Sequence, residues 1–397
     1  MNTYIIPPAT HPLPTLSGRA FDPGDEPFCG VRYAPIDRYP WGGEYRPEAR
    51  ACLAWDDTGL HVLLCANEPT VSAKVTAFGG PVWTDSCLEC FLQPFPDDPR
   101  YVNIEVNAAG AALIGIGPDR ERREVLGSCP EGMGIQASRH DGGWWAVAYT
   151  VPFAWLEGLY GRPVDRSAGF RGNFYCCDES IHPHFGSWSE IDAPRPDFHR
   201  PEYFGRLVLA DREGAEYFDV CDEDGEPTGE VVAREKAHRE GIRHRTAHVW
   251  VVRKAEGCWQ VLLQKRSENK DSFPGKYDTS SAGHIPAGDE PLESALRELG
   301  EELGIHASPE QLHYAGIFDI RYEKVFHGRV FRDNELSHVY VYLEPVDIGD
   351  LTLQAEEVSR VDWFDLEKTW AELPSRRDIY CVPTPGMAVL RDYLKHL

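Results

Sequence analysis

Residues 283–305 read "GHIPAGDEPLESALRELGEELGI". Leu292, Ala295, Leu296, Leu299 and Leu303 recur at helical spacing and form one apolar stripe. Pro291 suits a first helical turn, with Asp289 and Glu290 complementing the positive end of the helix dipole. Gly304 suits the left-handed residue that ends a helix. The stretch therefore predicts a helix over 290–304. Glu298, Glu301 and Glu302 stand at i, i+3 and i+4 and crowd one side of it. Such neighbours repel one another. Arg297 can reach Glu301 one turn on, but one cation cannot offset three carboxylates. A bound divalent ion gives the cluster a purpose, and hard oxygen ligands suit Mg²⁺ or Mn²⁺.

Outward from this helix the chain has two rhythms. After about residue 215, strands expected at 246–253, 259–265, 313–323, 337–343 and 359–364 alternate with helices, the last over 384–396 with Thr384 as its N-cap. Before it, "YVNIEVNAAGAALIGIG" (101–117) alternates apolar and polar side chains, and "RACLAWDDTGLHVLLCANE" (50–68) reads as a hairpin turning at Asp57, Thr58 and Gly59. Further strands are expected at 87–93, 133–139, 143–151, 170–176 and 205–210, with no amphipathic helix among them. The expected fold is therefore multidomain: an all-β sandwich over 1–212, then an α/β domain over 213–397.

Composition narrows the function. The 397 residues are 42% hydrophobic and 26% charged, the balance of a globular protein. No apolar run reaches the roughly 20 residues of a membrane span, and the first residues do not look like a signal peptide, so a cytoplasmic protein with no membrane partner is expected. The net charge is −24, and 211–397 alone holds 23 basic against 37 acidic side chains. That field repels nucleic-acid polymers, and an anionic substrate would need a bridging cation. Eleven cysteines are scattered through strand-like segments. Cys87 and Cys90 make a C-x-x-C without a second pair, and are read as buried thiols.

The stretch 283–305 also resembles the Nudix box, G-x5-E-x7-R-E-U-x-E-E-x-G-U with U aliphatic. Gly283, Arg297, Glu298, Leu299, Glu301, Glu302, Gly304 and Ile305 fit, and Asp289 replaces the first glutamate. The resemblance implies an α/β/α fold with a mixed sheet and a pyrophosphohydrolase that uses Mg²⁺ or Mn²⁺ on a small diphosphate-linked compound. It implies Glu298, Glu301, Glu302 and the Gly283 carbonyl as metal ligands, Glu298 or Glu302 as the group that helps a water lose its proton, and Arg297 as orienter. Around the box, "EYFDVCDEDGEPTG", "SSAGHIP" and "DNELSHVYV" are similar to the isopentenyl-diphosphate isomerase branch. That comparison implies Glu335 as a metal- or water-positioning carboxylate, with His244 and His284 where the isomerase has ligands. The thiol that shuttles protons in the isomerase is Ala282 here. His238 and His248 lack zinc-finger spacing. Lys265, Arg266 and Lys276 are candidate phosphate contacts.

The first half, with "VWTDSCLECFL", "YVNIEVNAAG" and "PDFHRPEYFG", resembles family 9 carbohydrate-binding modules. A sugar needs a flat apolar face flanked by polar groups for its hydroxyls. Trp83 and Trp188 are the candidate faces, and Asp85, Glu89, Asn103, Glu105 and Asn107 the candidate polar groups. His182, His184 and His199 form a loop set able to hold a metal. The reading that unites the halves is hydrolysis of a nucleoside-diphosphate-linked or related metabolite. The alternatives are an isopentenyl-diphosphate isomerase-like enzyme and a non-catalytic sugar- or nucleotide-binding regulator.

Overall fold

The computed structural model describes residues 2–9, 32–139, 142–211, 216–270, 272–326 and 328–397. The chain divides into two compact units, Met1–Gly214 and Ala215–Leu397. The boundary expected at 212/213 lies outside the described residues.

The first unit is a sandwich. Among the described residues, an eight-stranded sheet runs in the order Thr3–Ile6, Gly205–Leu209, Phe170–Asp178, Cys87–Gln93, Tyr101–Asn107, Ala112–Gly117 and Glu124–Val125, with His184–Ser187 also paired to Phe170–Asp178. A five-stranded sheet runs Ala34–Pro35, Glu48–Trp55, Gly59–Asn67, Trp144–Pro152 and Gln136–Arg139. The hairpin at 50–68 is present, its turn held by Asp56, whose carboxylate accepts from Thr58 and Gly59. Alternation sorts each strand. Leu88, Cys90 and Leu92 enter the core shared with Leu53, Leu64 and Val147 of the other sheet, while Cys87 and Phe91 face a second cluster with Tyr101 and Tyr175. Cys87 and Cys90 thus belong to opposite faces and form no pair.

The unit is mostly rather than wholly β. Helix α1 (Phe153–Tyr160) follows the strand Trp144–Pro152 directly. Phe153, Leu156 and Tyr160 bury one face, and Gly161 ends the helix in the left-handed region. Two turns offered too short a periodic stretch to separate from the strand before it.

The second unit is an α/β/α sandwich. Its seven-stranded sheet, counted among the described residues, has the path Tyr277–Asp278, Cys258–Arg266, His244–Ala255, Arg329–Tyr342, Leu312–Phe326. Ser281–His284 pairs His244–Ala255, and Val358–Asp365 pairs Cys258–Arg266. His244–Ala255 and Arg329–Tyr342 run parallel and the other pairs antiparallel, so the sheet is mixed. Residues Ala247, Val249 and Val251 pack on Ala295, Leu299 and Leu303 of helix α3 (Pro291–Leu303). Trp250 and Val252 point the other way, toward Met387, Leu390 and Leu394 of helix α5 (Thr384–Leu394) and toward Leu366 of helix α4 (Leu366–Glu372). The N-cap of α5 is Pro383, one residue before the expected Thr384. Helix α2 (Arg234–Glu240) was not expected; it is short, charged, and buries only Ala237 and His238.

Candidate functional site

Helix α3 starts after Glu290, with Pro291 at its first position, and ends at Gly304, whose φ is 72°. One side of it packs on the sheet, and the other presents the carboxylates to a cleft of about 1800 Å³. Arg297 ties them together: its guanidinium lies 2.8 Å from Glu298 and 3.1 Å from Glu301, and it donates to the His284 carbonyl at 3.3 Å. Glu302 is buried and accepts from the Ala282 amide (3.1 Å) and from Gln264 (3.2 Å). Burial, then the Glu298 charge, pushes its pKa up to about 7. Burial also raises Glu298, with Arg297 opposing. Gly283 has no side chain for a steric reason: a Cβ there would collide with the Glu298 carboxylate. Three carboxylates in one cleft, two of them resisting ionisation, form a donor set that a hard divalent cation would satisfy.

A second cluster borders the same cleft. His238, His244, His284 and Glu335 offer ligand atoms that all lie within 4.8 Å of one another. The ring Nδ1 atoms of His238 and His244 face the carbonyls of Arg234 (3.0 Å) and Ile242 (2.8 Å), so each donates there and leaves Nε2 with its lone pair. The Nε2 atoms of all three histidines are buried without a hydrogen-bond partner among the described residues. Those of His244 and His284 stand 3.7 and 3.5 Å from one Glu335 oxygen. Phe218 stacks on both rings, with centroids 4.7 and 4.5 Å away. Asp333 beside them is pushed up to about 9 by burial and by the Glu335 charge. Lone pairs facing a carboxylate across a buried gap suit a cation with nitrogen preference, and the backbone bonds at Nδ1 fix the rings for it.

In the first unit a smaller cavity, about 190 Å³, lies on the face of the eight-stranded sheet turned away from the five-stranded one. Glu89 and Glu105 sit directly opposite each other across two strands, both buried. Burial raises both: Glu89 also meets the Glu105 charge, and Arg123 works against the rise in each. Arg123 lies 3.1 Å from Glu105 and donates to His199 Nε2 at 2.8 Å. Burial, then Arg123 and Arg120, carries His199 down to about 2, so it stays neutral. Trp83, Phe185 and Phe198 complete the wall.

The chain resembles known proteins in two separate stretches. Residues 242–381 match the NUDIX domain model, and 28–209 match the model of carbohydrate-binding family 9. Nudix hydrolase 3 of Arabidopsis thaliana is 43% identical over 170 residues, 42% of this chain but only 21% of the plant protein. The uncharacterized Nudix hydrolase YfcD of Salmonella typhi is 33% identical over 156 residues, 39% of this chain and 76% of its own length. The chain belongs to the Nudix hydrolase family. A family 9 carbohydrate-binding module of Caldicellulosiruptor kristjanssonii, solved with cellotriose, covers 53% of this chain and 96% of its own at 12% identity and a TM-score of 0.38.

Against the sequence-level candidates, this Nudix protein gathers Gly283, His284, Arg297, Glu298, Glu301, Glu302, Glu335, Arg266 and Lys276 around one cleft. Arg266 is already committed, to Asp278 at 3.1 Å and to Ser272. Lys265 does not border the cleft; adjacent strand residues alternate in facing, and Arg266 is the one turned inward. Trp188 is not a sugar platform. It is 4% exposed and packs against Tyr4 and Phe174, with Gly205 at its ring edge. Asp85 and Asn107 serve the fold: Asp85 accepts from Ser72, from the amides of Lys74 and Val75, and from Asn107. Asn103 is buried and donates to Glu105 at 2.9 Å. His182, His184 and His199 do not converge as a set: His199 lines the smaller cavity, while His184 bonds Cys176. His238 was missed as a partner of His244 and His284. Its signal is the side of a seven-residue helix, too brief to read without the fold.

Proposed function

We propose that this protein hydrolyses a diphosphate linkage in a small nucleoside-diphosphate-linked or related metabolite, using Mg²⁺ or Mn²⁺. The observation that carries the reading is the convergence of Glu298, Glu301 and Glu302 on the cleft with Arg297 fastened across two of them. In this reading the domain over 213–397 is the hydrolase, and 1–212 is a carbohydrate-binding module. Glu298, Glu301, Glu302 and the Gly283 carbonyl would hold the metal, which would supply neutralisation of phosphate charge and a more acidic water near neutral pH. Glu302, or Glu298 beside it, would take up the proton lost by the attacking water. Arg297 holds the carboxylates in register. Glu335 positions water or a further ion. Of the basic side chains on the same cleft, Arg234 is paired with Glu216 and Lys270 with Glu357, as Arg266 is with Asp278, while Lys276 and Arg377 donate to backbone carbonyls and leave their charge for a diphosphate.

The test is turnover of nucleotide sugars, dinucleotides, nucleoside triphosphates and isopentenyl diphosphate with Mg²⁺. Glu302→Gln should lower kcat on the accepted substrate by roughly 10²–10⁴, the range of a lost general base. Binding without turnover across the panel would instead favour a regulator whose box only holds a metal. A second reading rests on the cluster of His238, His244, His284 and Glu335. It favours isopentenyl-diphosphate isomerase-like chemistry, against which stands Ala282 in place of a proton-carrying thiol. Allylic product from isopentenyl diphosphate, without phosphate release, would select it.

For the first unit we propose that Trp83, Glu89, Glu105 and Arg123 receive a sugar ring, its apolar face on Trp83 and its hydroxyls on the carboxylates and guanidinium. A sugar carried on the diphosphate would give both domains one substrate. If removing residues 1–210 leaves KM for every such substrate unchanged, that union is wrong.

A further inference from the structure

Away from the cleft and the sugar-sized cavity, the sandwich buries a third polar cluster. Glu68, at the end of the strand Gly59–Asn67, Cys176 on Phe170–Asp178, and His184 on His184–Ser187 are 1%, 0% and 1% exposed. Each offers one ligand atom within 4.8 Å of the others. Cys176 Sγ and His184 Nε2 are 3.4 Å apart. Two ligands of one tetrahedral zinc, with bonds of about 2.3 Å to sulfur and about 2.0 Å to nitrogen, stand about 3.5 Å apart.

The surroundings are arranged as for a metal ligand rather than a lone hydrogen bond. His184 Nδ1 lies 2.7 Å from the His182 carbonyl, which fixes the proton there and leaves the Nε2 lone pair toward the cluster. Glu68 is short of donors. Trp145 donates to one oxygen at 3.0 Å, but the other has, among the described residues, only Ser86, at 3.5 Å, whose single hydroxyl proton goes to Asp178 at 2.8 Å. Tyr45 stacks on His182 and sets its ring edge to His184, and its buried hydroxyl has no hydrogen-bond partner among the described residues. The titratable groups that face Cys176 are His184 and, acting on its charge, Glu68, Cys87, Glu89, Asp178, Tyr39 and Tyr45.

We propose that Glu68, Cys176 and His184 form a zinc site that staples the two sheets of the sandwich. Glu68 follows a strand of the five-stranded sheet, and the other two ligands lie on strands of the eight-stranded sheet. One thiolate, one imidazole and one carboxylate suit a borderline-soft ion and not calcium or magnesium. Binding exchanges the Cys176 thiol proton for the sulfur–metal bond, so acid is released to solvent.

Titration of the full-length protein with Co²⁺ tests this, because a thiolate ligand gives a sulfur-to-cobalt charge-transfer band that the sulfur-free His238, His244, His284 and Glu335 cluster cannot produce. The expected result is one equivalent of band-forming Co²⁺, displaced by Zn²⁺, with loss of the band in Cys176→Ser. Glu68→Gln should weaken it at least tenfold. Cys177→Ser, which instead disrupts the neighbouring Cys87, Glu89 and Cys177 group, should retain it. No band in the unmodified protein overturns the proposal, and so does a band that survives Cys176→Ser or disappears in Cys177→Ser. Should Cys176→Ser fail to fold, His184→Gln takes its place: loss of the band supports the site, and an unchanged band overturns it.

Discussion

Glu302 is where sequence and environment meet most sharply. Its place in the carboxylate run is visible in the sequence, but its burial and its bonds to Ala282 and Gln264 are not. A carboxylate raised from 4.5 to about 7 favours the folded state while protonated. Without metal, ionised Glu302 therefore costs the folded protein nothing below pH 4.5, progressively more as pH rises toward 7, and a constant amount above. That amount is about 3 kcal/mol at 1.36 kcal/mol per unit. In EDTA, Glu302→Gln should melt higher than the parent at pH 8, and the gap should shrink toward pH 5. With excess Mg²⁺ the order should reverse, because the parent gains binding energy the variant lacks. Equal gaps at both pH values would refute the buried-carboxylate account. Gly283 makes a second prediction. A methyl at this position must displace the Glu298 carboxylate, so Gly283→Ala should lower kcat by roughly 10²-fold, the effect of a misplacement near 1 Å. Its melting temperature should change little. A variant with normal kcat would show that Glu298 is free to move.

Among the elements, α3 was the most legible because its periodicity, its proline start and its glycine stop agree with one another. Leu299 is fully buried between the sheet and the helix that carries the carboxylates. Leu299→Ala should cost about 2–5 kcal/mol, the usual range for a leucine cavity, read as a lower midpoint in denaturant. A loss under 1 kcal/mol would mean that the helix repacks easily. Other elements gave weaker signals. The long strands Leu312–Phe326 and Arg329–Tyr342 extend past their expected bounds, because they continue as a paired hairpin whose outer residues, such as Val325 and Val330, are exposed. Helices α1 and α2 span eight and seven residues, too few for a helical stripe to outweigh the strand-like residues around them. The imidazole cluster was illegible for a further reason. His238, His244, His284 and Glu335 come from a short helix and three strands: the parallel pairing of His244–Ala255 with Arg329–Tyr342 sets His244 against Glu335, and the antiparallel pairing of Ser281–His284 sets His284 against Thr246. The sugar-sized cavity was half legible. Glu89 and Glu105 were candidates by chemistry, whereas Trp188 looked equally suitable until Tyr4 and Phe174 enclosed it.

At the scale of the molecule, the change of rhythm near residue 215 separates two units that each own a core. The cluster around Leu53, Leu64, Leu88 and Val147 is built within Met1–Gly214, and the clusters on the two faces of the mixed sheet within Ala215–Leu397. A unit with its own apolar core and paired strands has what independent folding requires. Residues 215–397 produced alone should therefore unfold in one cooperative transition and bind Mg²⁺ with the affinity of the full chain, because α3, Gly283 and Arg297 all lie within them. The kinetic split is more informative than the folding. If the first unit only holds the sugar of a diphosphate substrate, its removal takes away binding energy that substrate and transition state share, so KM rises and kcat stays. The effect should be confined to sugar-bearing substrates, and Trp83→Ala in the full chain should reproduce it. A fall in kcat on every substrate after truncation would point elsewhere, to a first unit that the catalytic domain needs for its own geometry.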